Sequence, residues 1–238
     1  MAAQLLLGDI RIDVVFKDIK NIHLSVLPPA GKVRISAPLR MNRETVRIFA
    51  ISKLGWIRKQ QKKLKEQERE TLREYRDRES HYIWGKRYLL QVLESDQAPS
   101  IELRHNRMIL TIRPETTQEK RQAIIEEWYR NLIKQAYVPL IRKWEPIIGV
   151  KVEHCFIQRM KTKWGSCNHE ACNIRLNTHL AKKPSQCLEY VLVHEVIHLL
   201  EPKHNDRFIS MMDKYMPRWQ QYKNELNSAP LSFEHWKY

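Results

Sequence analysis

Between Val191 and His204 the chain reads VLVHEVIHLLEPKH, an apolar run broken by three histidines and two glutamates. No other stretch constrains the fold as strongly. Titratable side chains carried on an apolar helix must find a common partner or stay solvated. His194 and His198 are four residues apart, slightly more than one helical turn. Both rings therefore project from one face and can reach one ion at about 2.0–2.1 Å. Glu195 lies about 100° further round the helix. It is too far round to be an equal third ligand, and well placed to hydrogen-bond a water in the ion's open position. This is the HExxH arrangement, in which the glutamate serves as general base.

A catalytic metal site of this kind needs a third protein ligand, and His204 is the candidate. Pro202 stops the helix just after Glu201, because its ring cannot sit in a continuing turn. The chain can then double back to present His204, and Asn205 caps the next helix. The spacing His198-x5-His204 equals that of the metzincins. Glu201 stands at their glycine position, however, and Met211, Met212 and Met216 fall in a helical pattern rather than a Met-turn. The alternative is a core helix whose histidines are satisfied by hydrogen bonds. It would desolvate two imidazoles and a carboxylate among Val191, Val193, Val196, Ile197 and Leu199, a cost that a metal offsets.

The surroundings are those of a globular protein. At 238 residues the chain suits one large domain or two small ones. With 42% hydrophobic and 29% charged residues it is neither disordered nor membrane-like, and no apolar run approaches the roughly 20 residues that span a bilayer. The opening MAAQLLLGDI lacks a basic leader and meets Asp9 and Arg11 at once, so it reads as an N-terminal strand or a frayed end rather than a signal peptide. Four cysteines without a CxxC pair suit free thiols in a reducing compartment, and a cytoplasmic location is expected. Cys167-x4-Cys172 is a weak metal signal on its own. The net charge of +15 leans towards residues 1–80, which carry 18 basic and 10 acidic side chains, away from the histidines. That excess suits a solvated surface and leaves nucleic acid as a possible but unfavoured partner.

Alternation marks early strands at 10–16, 21–27 and 32–38, the last two joined through Pro28, Pro29, Ala30 and Gly31. A charged helical arm follows over about 42–79, with Asn42 as N-cap and nine basic and six acidic residues in 58–79. Strand signals return at 81–94, with Gly85 as the turn, and at 101–113. Ile125, Trp128, Leu132, Ala136, Leu140 and Trp144 then mark a long helix from about 117 to 144 that Pro139 should kink or split. A further strand pair, 150–160 and 172–180, is joined through KTKWGSCNHEA. Pro184 opens the helix that runs to Glu201, and a last one spans about 205–216. No internal repeat is apparent. The pattern is α+β: a β-rich N-terminal region over 1–113 with its helical arm, and a catalytic region over 114–238.

WGSC, NIRLN, HEVIHLLEPKH and the following RF together resemble the YgjP-like metal-dependent hydrolases, distant relatives of the zincin proteases of the SprT type. APLRMNRETVRIFAISKLGWIRKQ and WGKRYLL extend the likeness over most of the chain. The resemblance implies a zincin-like C-terminal part with helices on a small sheet. It implies His194, His198 and His204 as ligands of one Zn²⁺ (or another divalent metal), Glu195 as catalytic base, and Trp164 to Cys167 on a strand or turn near the cleft. Trp164 touches substrate or merely packs. Arg175 and Asn177 orient a substrate carbonyl, hydrogen-bond a ligand histidine, or serve as a sheet edge and its cap. His154, His169 and His179 are scattered, and nothing selects among them. The expected activity is a zinc metallopeptidase acting on peptide or protein. The alternatives are a nucleotide phosphoanhydride hydrolase, or a protease confined to DNA-bound proteins.

Overall fold

The computed structural model describes residues 2–27, 31–66, 73–160 and 163–228. They fall into two compact units, one within 1–71 and the other within 72–229. The architecture is α+β, as the pattern of strands and amphipathic helices implies.

In the first unit, strands β1 (Ala2–Leu7), β2 (Ile10–Lys17), β3 (His23–Leu27) and β4 (Lys32–Pro38) form a sheet in the order β1-β2-β4-β3. The two outer pairs are antiparallel and the central pair β2–β4 is parallel. Alternation does the sorting: Ile10, Ile12 and Val14 on β2 and Val33, Ile35 and Ala37 on β4 bury one face. Helices α1 (Arg43–Ser52) and α2 (Leu54–Glu66) add Val46, Ala50 and Ile57 to the same core. Asn42 caps α1 as expected, its side chain accepting the Thr45 N–H at 2.8 Å.

The arm does not remain helical to residue 79. Residues 67–72 lie outside the described residues, as do 28–30 of the expected turn. Residues 73–79 carry no regular helix. Tyr75 and Arg78 adopt left-handed backbone (φ 56° and 65°), and the Glu79 carboxylate accepts the N–H groups of Glu74 and Tyr75. Local side-chain bonding of this kind competes with helix.

In the second unit, β5 (Ser80–Ile83), β6 (Lys86–Glu94), β7 (Ser100–Arg104) and β8 (Arg107–Ile112) form a sheet in the order β5-β6-β8-β7. The break between units falls at 71/72, upstream of the 113/114 boundary read from the sequence. The reason is packing. Leu90, Met108, Leu110 and Ile112 of this sheet share one core with Ile125 and Ile133 of the long helix and Leu192, Val193 and Val196 of the histidine helix. That long helix, α3 (Gln118–Ile148), runs unsplit through Pro139 and Pro146. Strands β9 (His154–Gln158), β10 (Gly165–Asn168) and β11 (Asn173–Asn177) form a small sheet, β10-β11-β9. The segment read as a connector thus holds a third strand, β10, antiparallel to β11, while β9 and β11 run parallel.

A short 3-10 turn, Thr178–Lys182, leads to α4 (Ser185–Ile197). The β5–β6 turn fixes its start: the Trp84 N–H donates to the Ala181 carbonyl at 2.8 Å. At Gly85, with φ +79°, a Cβ would come within 2.9 Å of Pro184. Glu189 ties α4 to α3 by accepting from Trp144 Nε1 at 2.9 Å and Lys143 Nζ at 2.7 Å. Two helices follow, α5 (Asp206–Tyr215) and α6 (Trp219–Ser228). The sequence reading ended at α5. Trp219, Tyr222 and Leu226, spaced by three and four, carried the missed signal and pack on the common core.

Candidate metal centre

The regular part of α4 stops at Ile197, with His198 as its C-cap, four residues before the end expected from Pro202. Leu199 and Leu200 donate to the carbonyls of Val196 and Ile197, a tight closing turn that swings the chain away from the helix axis. Glu201 to His204 then fold back, and Asn205 starts α5 by accepting the Phe208 N–H at 3.0 Å. The reversal brings the third histidine to the first two. His204 Nε2 lies 3.0 Å from His194 Nε2 and 3.1 Å from His198 Nε2. Two nitrogens on one tetrahedral ion at about 2.0–2.1 Å stand roughly 3.3 Å apart, so the triangle is close to the size an ion requires. Among the described residues this is the group of His, Cys, Asp or Glu side chains able to hold a metal.

Tautomer chemistry agrees with that fit. His198 Nδ1 faces the Glu201 carbonyl at 2.9 Å. A carbonyl only accepts, so Nδ1 carries the proton and Nε2 presents a lone pair to the shared point. Burial, and then the neighbouring His198 and His204, hold His194 down at about 3, keeping its ring neutral. Burial likewise lowers His198. Neutral imidazoles crowded nitrogen to nitrogen repel one another unless a proton or a cation lies between them, and a divalent cation takes all three lone pairs. The donor set fits a borderline metal such as zinc.

Phe208 holds the rings in place. Its ring centroid lies 4.7 Å from that of His198 in a stacked geometry, and 4.9 and 4.8 Å from His194 and His204 edge-on. The side chain is buried, so all three imidazoles rest on one fixed apolar surface. The RF dipeptide was part of the resemblance, but this bracing role was not legible in the sequence. The available signal was Phe208 four residues beyond His204 on an N-capped helix.

The histidines open on a cleft of about 630 Å³ walled by α4, β10 and α6. Glu195, only 6% exposed, lines it from α4. Burial pushes its carboxyl up to about 8, with Lys163 pulling the other way. A proton acceptor works best with a pKa near the working pH. Lys223, Leu226 and Asn227 of α6, the helix missed in the sequence, form the opposite wall.

The remaining candidates divide. Trp164 lines the cleft, and the Lys183 ammonium lies 5.6 Å from its ring centroid. Arg175 is not among the cleft-lining residues; it lies over the Phe156 ring at 5.6 Å. Asn177 proves to be a cap. Its Nδ2 donates to the Met160 and Lys163 carbonyls, both at 2.8 Å, and its Oδ1 accepts the His179 N–H at 3.0 Å. None of these bonds goes to His194, His198 or His204. His169 and Cys167 line the cleft, His154 stacks on Phe156, and His179 is half-buried. All four cysteines are free thiols.

Among solved structures, the chain is similar to the metallopeptidase zymogen abylysin of Pyrococcus abyssi. The likeness has 19% identity and a TM-score of 0.35, over 37% of this chain and 89% of that one. It is also similar to the metallopeptidase zymogen jannalysin of Methanocaldococcus jannaschii, at 18% identity and a TM-score of 0.30 over 41% and 86%. No curated protein matches. Residues 20–229 match the family described as YgjP-like, metallopeptidase domain. The chain belongs to that YgjP-like metallopeptidase family and is, by this membership, a metal-dependent hydrolase.

Proposed function

We propose that the protein is a zinc peptidase that binds one ion per chain through His194, His198 and His204 and uses Glu195 as general base on a peptide substrate. The observation that carries this reading is the meeting of three Nε2 atoms, 3.0–3.1 Å apart along two sides, beside a buried carboxylate. A divalent ion there supplies Lewis acidity, polarising a scissile carbonyl and acidifying water. The chain does the rest. Glu195 takes a proton as water adds to the carbonyl carbon, and delivers it to the nitrogen as the C–N bond breaks. Tyr190, Trp164 and Leu226 supply apolar surface along the cleft. The arrangement of α4 against a small sheet suits a zincin-like domain, and four free thiols suit the cytoplasm.

Elemental analysis of the purified protein should give one zinc per chain, lost in His198→Ala. Glu195→Gln should keep the ion and lose about 10²–10⁴-fold in turnover of a quenched-fluorescent peptide library, the usual contribution of a positioned acid–base group. Wild-type turnover by Glu195→Gln would overturn the base assignment. Hydrolysis of nucleoside triphosphates but of no peptide would overturn the substrate class.

A further inference from the structure

We propose that Gly165 is a positioning residue for Glu195: its missing side chain gives the carboxylate a seat against the β10 backbone and confines it beside the three imidazoles. The inference rests on the reading of Glu195 as general base.

Three observations point to it. First, Gly165 has no positive φ, unlike Gly8, Gly31, Gly85 and Gly149. Any L residue can adopt its backbone conformation, so the need for glycine there is spatial. Second, a Cβ built on Gly165 would lie 2.6 Å from Glu195 Oε1, 2.7 Å from Cγ and 2.9 Å from Cδ. All three nearest atoms belong to this one side chain, and the contact runs along its length, so turning the tip alone does not relieve it. None of the three belongs to a histidine, so the carboxylate side chain is what a methyl group would strike first.

Third, neither backbone is free to retreat. Gly165 opens β10 in register with fully buried Leu176. The Trp164 carbonyl just before it accepts the Asn177 N–H at 2.9 Å, and the Asn177 amide clamps the Lys163 carbonyl. On the other side, Glu195 is rooted in α4 between Val193, Val196 and Ile197, all fully buried. With both main chains held, the side chain of Glu195 must move, and the open direction is into the cleft. This also accounts for the Trp-Gly pair of WGSC: Asn177 pins the residues before the glycine, and the glycine seats the carboxylate.

The test is a double-mutant cycle on the zinc-loaded protein. Gly165→Ala should keep one zinc per chain, lower kcat for a cleaved quenched peptide by about 10²-fold, the scale of a 1 Å misplacement, and leave KM within about threefold. Its crystal structure should show Glu195 in a different rotamer beside unmoved histidines. In a Glu195→Ala background, where no carboxylate remains to strike, Gly165→Ala should change neither kcat nor Tm further. If Gly165→Ala is too unstable to assay, combining it with Glu195→Ala should restore the lost Tm. An unmoved Glu195 rotamer, or the same penalty in both backgrounds, would overturn the proposal. Wild-type turnover by Glu195→Gln would instead overturn the general-base reading, while the rotamer and the Tm cycle still report on the contact itself.

Discussion

The two four-stranded sheets of this protein have the same plan. β1-β2-β4-β3 and β5-β6-β8-β7 share strand order, antiparallel outer pairs and a parallel central pair. They differ in what covers them. The first closes its core with its own helices α1 and α2. The second merges with α3 and α4 into a core that runs on to the helix bearing the histidines. The repeated topology by itself carries no chemistry. On the proposed reading, chemistry enters where a sheet helps to fix the helix that bears His194 and His198, here through the Trp84–Gly85 turn against Ala181 and Pro184.

That contrast is open to direct attack. The largest expected effect comes from Phe208→Ala, set against Ile35→Ala in the first sheet. Each should cost about 2–5 kcal/mol of stability, as large-to-small core changes do. Phe208→Ala alone should also lower zinc content, because it removes the surface on which three imidazoles rest. Denaturant melts and elemental analysis on both variants read this out. Zinc loss in Ile35→Ala would show that the two cores are not separate in function.

Acid should separate the units next. His81 is buried beside Glu79 and Tyr129, with Arg73 and Lys182 near, and burial lowers its pKa. His179, with Lys182, Arg159, Lys183 and Arg73 near it, is held well below 6.5, again chiefly by burial. A folded-state histidine pKa below the unfolded value means that unfolding takes up protons. The stability these residues contribute is therefore present above about 6.5 and is lost as pH falls from there towards the folded pKa. In the first unit, Asp13 is lowered, chiefly by its hydrogen bond with Lys32. Its contribution is present above 3.8 and lost only as pH falls through its lower folded value. Hydrogen exchange measured from pH 8 to 4 should show residues 80–200 losing protection before 2–60. His179→Gln should flatten the early loss, and an unchanged profile in that variant would remove His179 from the account.

The smallest effect compares two caps. Asn42→Ala and Asn205→Ala each remove a side chain that accepts the N–H three residues on, worth about 1 kcal/mol. Only Asn205→Ala should also weaken zinc binding, because Asn205 shapes the turn between His204 and Phe208. Equal zinc affinity in both variants would show that the turn is held without it.

Much of the first sheet was legible. Ile10, Ile12 and Val14, like Val33 and Ile35, alternate cleanly because one face is buried and the other is not. Strand β10 was not, since Gly165–Asn168 is four residues with no alternation, held by pairing with β11 and by contacts from α4. The 71/72 break was hidden for a related reason. Strands β5 to β8 look like their N-terminal counterparts, and only their packing on α3 and α4 assigns them to the second unit. The shared plan of the two sheets left no sequence repeat to find, because hydrogen-bonded strand order tolerates almost any alternating apolar residues.

At the candidate site, the meeting of the three histidines was readable because i,i+4 spacing, a proline stop and an asparagine cap act within a few residues of one another. Local backbone geometry carries that information, and so the sequence alone determined which side chains could converge. What sits around them was decided by tertiary structure: Phe208 beneath the rings, Gly165 against the carboxylate, α6 across the cleft and Asn177 as a clamp. Each of these joins an element to a neighbour that the backbone path brings close. Such contacts are set by the packing of a whole core, and no spacing along the chain encodes them.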